Sequence, residues 1–305
     1  MDKKIVIGLP RALLYYKYET LWKTFFNELG LNIMISPQTN KEILENGKKL
    51  LVDEACLSLK IYMGHVNYLV DKVDYILVPR IVSLEKNMKL CTNFSALYDI
   101  VRNTFDINIL NYNIDLDKNI SEEDAFIKMG IQLGFSKSLS KNAYLNAKKE
   151  EYKIKKIDYL LQKNKLNKDK KKILLVAHPY NLRDNYLGKV IIDIVRELNV
   201  DVIYADIFDP DCDKNLYKNI SPRLYWTYNQ ELLNSIELYK NSVDGIILMS
   251  AFPCGPDSLV NDMCLRTVEK PIINIIMDEL TSKEGLQTRI ESFIDIIKGD
   301  KIYEW

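Results

Sequence analysis

Short apolar runs recur in the same order in the two halves of the chain. Residues 5–9 and residues 173–176 are both apolar, and a proline follows each run closely. Runs of this kind are typical of buried parallel strands with a loop at the carboxyl end. Three further strand pairs are predicted by the same pattern: 32–36 with 201–205, 73–78 with 243–248, and 107–110 with 272–276.

The spacing between matched positions stays nearly constant along the chain. It is 168 residues between Ile5 and Ile173 and 170 residues between Asp74 and Asp244. We therefore expect an α/β protein with two doubly wound parallel-sheet domains, a helical connection and a cleft between the domains. Chance likeness between two unrelated α/β halves is the alternative. Ligands of such folds bind outside the carboxyl ends of the strands, so the cleft is the expected site. The expected boundaries are 1–120 for the first domain, 121–170 for the helical connection and linker, and 171–305 for the second domain.

The segment between the halves has a helical pattern. Ser121 is a good N-cap, and three acidic residues follow it, which suits the helix dipole. Ile127, Ile131 and Phe135 are spaced by four, and Phe126 and Leu133 are seven apart, so an apolar face is predicted. The lysine-rich stretch at 163–172 is expected to be a solvated linker, with phosphate or nucleic-acid binding as the alternative.

Composition and charge limit the classes of function. Lys and Arg number 42, as do Asp and Glu, so the chain lacks the basic character of a nucleic-acid or anionic-membrane binder. No apolar stretch approaches the roughly 18 residues of a membrane span, and the first apolar run is too short for a signal peptide. We therefore expect a cytoplasmic protein with no nucleic-acid or membrane partner. Gly-rich nucleotide-binding motifs are absent from the sequence.

Three of the five cysteines fall where the ligand-binding residues of such a fold are expected. Cys91 and Cys254 follow the third strand of their halves. Cys56 precedes a predicted helix, whose N-terminus would stabilise a thiolate. Their separations of 35 and 163 residues match no compact zinc finger. The sulfurs would have to converge in three dimensions, as in a soft-metal or iron–sulfur site. Buried thiols without any metal, or a zinc site, are the alternatives.

Other polar residues and thiols are candidates for supporting roles. Glu54 and His65 are the candidate catalytic acid–base residues. Glu54 could equally serve the first turn of a helix, and His65 could line the cleft or cap its helix. Cys264 is interpreted as a core thiol, with a fourth-ligand role as the alternative. Cys212 is surrounded by acids that raise a thiol pKa, so we expect no metal binding there. His178 lies in a polar loop suited to an anionic ligand or a partner.

Motifs spread along nearly the whole chain resemble those of one protein family. The most specific contain cysteines and lie at 53–56 (DEAC), 91–94 (CTNF) and 252–258 (FPCGPDS). Others lie at 8–13 (GLPRAL), 278–281 (DELT) and 285–293 (GLQTRIESF). Together they resemble the activase-related protein family of the 2-hydroxyacyl-CoA dehydratase group, which includes components like those of 2-hydroxyglutaryl-CoA dehydratase.

The resemblance implies an oxygen-sensitive [4Fe-4S] cluster held by Cys56, Cys91 and Cys254 in the cleft. It also implies reduction by an ATP-dependent activase, which acts as the electron donor. In the dehydratases of this group an open iron meets a 2-hydroxyacyl thioester, so an acyl-CoA or another small molecule is an implied ligand.

The chain departs from the dehydratases in two ways. It is one short polypeptide, whereas the dehydratases pair two different subunits, and its sequence contains no recognisable coenzyme A pocket. The resemblance therefore supports the binding of an iron–sulfur cluster more strongly than it supports the dehydration of a substrate. We expect an iron–sulfur redox protein, a component of the (R)-2-hydroxyacyl-CoA dehydratase or reductase kind. The alternative is a non-catalytic two-lobed ligand-binding or scaffold protein with buried cysteines.

Overall fold

Two separate parallel β-sheets organise the chain. The computed structural model describes residues 5–279 and 282–299. The ends of the predicted domains at 1–4 and 300–305, and Leu280 and Thr281 of the 278–281 motif, lie outside the described residues. The chain divides into one unit of Met1–Ile154 with Tyr225–Thr227, and a second unit of Lys155–Leu224 with Tyr228–Trp305.

The first unit contains a four-stranded parallel sheet with the order β2-β1-β3-β4. Its strands are β1 (Val6–Leu9), β2 (Asn32–Ile35), β3 (Tyr75–Ser83) and β4 (Ile109–Asp115). Its helices are α1 (Tyr15–Glu28), α2 (Lys41–Lys48), α3 (Leu57–Leu69), α4 (Thr92–Thr104) and α5 (Glu122–Gln132). The aromatic core joins α1 to α5 and β4: the Phe126 ring lies 4.7 Å from that of Phe25 and 5.2 Å from that of Tyr112.

The second unit repeats this topology, with the strand order β6-β5-β7-β8. Its strands are β5 (Lys172–Val176), β6 (Asp201–Tyr204), β7 (Gly245–Ala251) and β8 (Ile272–Met277). Helix α6 (Lys137–Leu166) runs from the first unit into the second, and is followed by α7 (Pro179–Leu182), α8 (Gly188–Glu197), α9 (Thr227–Tyr239), α10 (Gly255–Thr267) and α11 (Lys283–Lys298). The prediction of two α/β units, each with its own parallel sheet, is confirmed.

One side-chain contact is repeated in both sheets. The backbone N–H of Val6 donates to Asp74 Oδ2 at 2.9 Å, and that of Lys172 donates to Asp244 Oδ2 at 2.8 Å. Each aspartate immediately precedes the third strand of its unit and binds the first strand. The contact therefore fixes the alignment of these two strands in the same way twice. It supports a real structural repeat at the positions that the sequence spacing had matched.

The connection at 121–170 is helical, but its apolar face differs from the prediction. Ser121 caps α5 as expected. Ile131, however, is 52% exposed, and Phe135 lies beyond the end of α5. Ile127, Phe126 and Leu133 are buried as predicted, and Met129 lies between them on the same buried face. The predicted spacing of four alone drifts around the helix, and it was therefore wrong at Ile131 and Phe135.

The lysine-rich stretch is only partly a solvated linker. Helix α6 continues to Leu166, and residues 167–169 are exposed. Lys170 Nζ lies 3.0 Å from Asp201 Oδ1, and Lys171 Nζ lies 3.0 Å from Asp244 Oδ1. These lysines thus bind acids at the amino ends of β6 and β7. In the part of the chain that the structure describes, no helix is long and apolar enough to cross a membrane.

Two glycines let α2 and α3 approach closely. A Cβ on Gly47 would lie 1.8 Å from the Lys60 carbonyl oxygen, and one on Gly64 would lie 1.9 Å from the Ile43 carbonyl oxygen. Neither distance is compatible with a side chain, so the backbones must meet here. Because α3 begins directly after Cys56, this contact also helps to set the position of that cysteine.

We expect Gly64→Ala to lower the free energy of unfolding by about 1–3 kcal/mol, because the added methyl group overpacks a backbone contact. Urea denaturation measures the change. Gly285→Ala is the control, since its Cβ would meet only the Ser282 hydroxyl at 3.3 Å in the first turn of α11. Equal stability of the two variants would contradict the close-packing argument.

Candidate functional site

Cys56 lies beside the start of the helix that Cys91 caps in the first unit. Cys56 is the N-cap of α3, and Cys91 is the N-cap of α4. The side-chain amide of Asn93, in the first turn of α4, donates to the Cys56 sulfur at 3.4 Å. The two helix starts therefore meet on the carboxyl side of the first sheet, where β3 leads into α4. This is the edge at which ligands bind to such sheets.

Cys254 has the position in the second unit that Cys91 has in the first. It follows β7 and is the N-cap of α10. The backbone carbonyls of Cys56 and Cys254 each accept the N–H of a residue in the first turn of the helix, at 2.9 and 3.0 Å respectively. All three predicted ligands are therefore half-buried N-cap residues. The positive end of a helix dipole stabilises a thiolate, which is the form of cysteine that binds metals.

A buried polar cluster surrounds Cys254. Asp257, in the first turn of α10, accepts a hydrogen bond from the Cys254 thiol. Its Oδ1 lies 2.9 Å from His178 Nε2 and 2.8 Å from Asn229 Nδ2. The three residues that meet at this oxygen are all at least 96% buried. Sequence analysis singled out His178 but not Asp257 or Asn229. The acidic residue three positions after Cys254 was the one sequence signal that pointed to these buried contacts.

The pKa of Asp257 shows which charge this cluster holds. Burial would raise the pKa of the carboxyl, but His178 and the hydrogen-bond donors around it lower the pKa below its usual value. Asp257 is therefore ionised, and His178 Nε2 carries the hydrogen.

The predicted acid–base residues lie in very different surroundings. Glu54 is exposed in the turn before Cys56. His65 is completely buried inside α3, with Nδ1 2.8 Å from Ser36 Oγ and Nε2 3.0 Å from Thr39 Oγ1. Burial, assisted by the charge of Arg11, lowers the pKa of His65 to about 3. The imidazole is neutral and joins α3 to the loop after β2, an arrangement that favours a structural role.

The two remaining cysteines fit the sequence interpretation. Cys264 is 1% exposed within α10, and burial raises its thiol pKa to about 12. It is a core thiol. Cys212 is half-buried, and burial together with the charge of Asp209 raises its pKa. None of the five cysteines, all of which the structure describes, forms a disulfide.

The residues fit a metal by their chemistry, although no complete set of ligands is assembled. Within residues 5–279 and 282–299, no group of three or more His, Cys, Asp or Glu side chains is arranged to hold a metal ion. Cys56, Cys91 and Cys254 supply three soft donors at helix N-termini, which is the donor chemistry of iron–sulfur sites. The convergence of these three sulfurs stays a prediction.

Comparisons with known proteins identify one family. Residues 6–208, well over half of the chain, match the model of a family described as "CoA enzyme activase uncharacterised domain (DUF2229)". Cys56 and Cys91 lie within the matched stretch, and Cys254 lies beyond it. No curated protein matches the chain.

The solved structures that are similar to this chain are only distantly alike in sequence and in fold. FpvC, an SBP from Pseudomonas aeruginosa in complex with Mn²⁺, is 10% identical, with a TM-score of 0.29 over 98% of this chain and 100% of that chain. A sugar transporter from Clostridium phytofermentans is 11% identical, with a TM-score of 0.20 over 98% of this chain and 95% of that chain. Likenesses this weak carry no argument about what this chain binds.

The lowered pKa of His65 predicts a pH dependence of stability. Between about pH 6.5 and pH 3 the unfolded chain binds a proton at this histidine and the folded chain does not. Its contribution to stability is therefore complete above pH 6.5 and is lost as the pH falls, by up to about 1.4 kcal/mol per pH unit. Urea denaturation at pH 7, 6 and 5 should show a shallower slope in His65→Gln. An identical slope in the variant would refute this assignment.

Cys264→Ser should lower the free energy of unfolding by about 1–3 kcal/mol, because it buries a hydroxyl in an apolar setting. Cys212→Ser is the matched control and should change stability by less than about 0.5 kcal/mol. Thermal or urea denaturation of both variants tests the difference. Equal losses in the two would show that Cys264 is not the more tightly packed thiol.

Proposed function

The chain belongs to the activase-related CoA enzyme family, and from that premise we propose that it is an iron–sulfur redox protein of the 2-hydroxyacyl-CoA dehydratase type. In this proposal a [4Fe-4S] cluster is held by Cys56, Cys91 and Cys254. An ATP-dependent activase donates its electrons, and an acyl-CoA or another small molecule is the substrate. The proposal covers two roles for the chain, that of a dehydratase-like catalyst and that of a reductase component.

The observation that carries the proposal is the shared position of the three cysteines. Each is an N-cap, each is half-buried, and Cys91 and Cys254 cap the helices that follow the third strand of their sheets. Ser, Thr, Asp and Asn are the usual N-cap residues, whereas a cysteine caps poorly. Three helices that begin with a thiol are better explained by metal binding than by capping. Bound at these thiolates, the cluster would supply single electrons at low potential.

The chain's own residues would prepare and support this site. The helix N-termini after Cys56 and Cys91 favour the thiolate form of each. At Cys254 the helix N-terminus acts against the ionised carboxylate of Asp257, to which the thiol donates. The Asn93 amide donates to the Cys56 sulfur at 3.4 Å, and hydrogen bonds of this kind to a cluster sulfur tune its potential. Glu54 is exposed two residues before Cys56 and is the proposed acid–base group. The burial of His65 argues against a similar role for it.

Anaerobic purification with iron and sulfide analysis tests the proposal. We expect a brown protein with about four irons and four sulfides per chain. Cys56→Ser, Cys91→Ser and Cys254→Ser should each lose most of the iron. Cys212→Ser should keep all of it, because its half-buried thiol lies among acids and is not a proposed ligand. Cys264→Ser should keep the iron while losing stability.

Two outcomes would contradict the proposal. A folded, colourless, metal-free wild-type protein after anaerobic purification would favour the alternative of a two-lobed binding or scaffold protein. If Cys264→Ser instead folds normally and changes the electron paramagnetic resonance of the reduced protein, a fourth thiolate closes the cluster. The substrate-binding part of the proposal would then be wrong. Reduction of the bound cluster by a purified activase only in the presence of ATP tests the electron donor.

A further inference from the structure

The buried polar side chains beside Cys254, which are His178, Asn229 and Asp257, lie at the point in the second sheet where the strand order changes direction. Because β5 stands between β6 and β7, the chain leaves β5 to one side and returns to β7 on the other. His178 follows β5, and Cys254 follows β7. The crevice at such a point is the usual ligand site of a doubly wound sheet. Asn229 reaches the same place from α9.

Asp257 ties these elements together. Its Oδ1 accepts from both His178 Nε2 at 2.9 Å and Asn229 Nδ2 at 2.8 Å. His178 is itself held by aromatic rings, with its ring centroid 5.0 Å from that of Tyr180 in a stacked arrangement. A buried carboxylate with two donors on one oxygen has little freedom to move, because each lost bond would leave a buried polar group unsatisfied.

We propose that His178 and Asn229 are positioning residues which, through Asp257, hold the first turn of α10 and so fix Cys254 for metal binding. The inference rests on the proposed function for the metal and on the hydrogen bonds above for the positioning. No residue in it is a proposed ligand except Cys254. It gives a role to the buried His178, whose burial the proposed cluster ligands alone do not explain.

The positioning contacts survive the loading of a metal. If the Cys254 sulfur held iron, the thiol would first have to give up its proton to solvent, and the thiolate would then be the ligand. The thiol's own hydrogen bond to Asp257 is lost at that step. The bonds from His178 and Asn229 to Oδ1 do not involve the thiol hydrogen, so they continue to hold the helix start. Outer-shell partners of this kind typically change metal affinity 10- to 100-fold.

The test compares His178→Ala and Asn229→Ala with His178→Gln, whose side-chain amide can place a donor near the position of Nε2. Chelator competition on the anaerobically purified or iron- and sulfide-reconstituted protein measures cluster affinity, and electron paramagnetic resonance records its signature. We expect both alanine variants to lose affinity about 10- to 100-fold and to broaden the resonance. His178→Gln should restore both toward the wild type.

Gln162→Ala is the matched control in the same unit. The Gln162 side chain is buried and donates to the carbonyls of Tyr204 and Ile207 at 2.9 and 2.7 Å, so its loss costs similar buried hydrogen bonds. It should leave cluster affinity unchanged. Wild-type affinity in both alanine variants, or an equal loss in Gln162→Ala, would overturn the inference.

Hydrogen–deuterium exchange of the metal-free protein separates this inference from the proposed function. Exchange in the first turn of α10 should speed up at least about tenfold in His178→Ala and Asn229→Ala, and should stay unchanged in α3. Unchanged exchange in α10 would overturn the positioning role whether or not the protein binds iron. If the wild-type protein binds no iron but exchange rises as expected, the proposed function fails and the positioning of the Cys254 thiol stands.

Discussion

The parallel direction of the strands in each sheet is the constraint on which the candidate site depends. All strands of a parallel sheet end at one edge, and the helices that follow them begin there. Cys91 and Cys254 start the helices that follow β3 and β7, and His178 follows β5. Cys56 reaches this edge differently, because α3 runs back toward the start of β3. The close approach at Gly47 and Gly64 fixes the position of α3, and the Asn93 amide donates to the sulfur of its N-cap residue, Cys56.

The two units share a scaffold and differ in their chemistry. The strand order is the same, and Asp74 and Asp244 align the first strand with the third in both. The first unit supplies two cysteines at helix starts. The second supplies one cysteine together with a buried, ionised Asp257 and its donors. A repeated fold has thus been given unlike sites at equivalent edges, in keeping with the general independence of fold and function.

The sequence predicted the features that depend on local pattern. A strand was predicted at each of the eight places because each strand contains a short apolar run, and the regular spacing of those runs predicted the repeat. The strands β3 and β4 continue past the predicted ends, through polar positions, to Ser83 and Asp115. Cys91 and Cys254 were singled out because they follow such runs, and Cys56 because it precedes a predicted helix. The pattern failed where contacts are distant in sequence: Asn229 meets Asp257 across 28 residues and His178 meets it across 79. The burial of His65 was also missed, since its partners Ser36 and Thr39 belong to a different loop.

The most direct test of the central claim is which cysteines a bound cluster protects. Anaerobic alkylation followed by mass spectrometry, before and after removal of iron with a chelator, reads each of the five thiols separately. The account predicts that Cys56, Cys91 and Cys254 are protected together and become reactive together when the iron is removed. Cys212 should react to the same extent in both states. Labelling of any one of the three that does not change when iron is removed would contradict the assignment of that residue as a ligand.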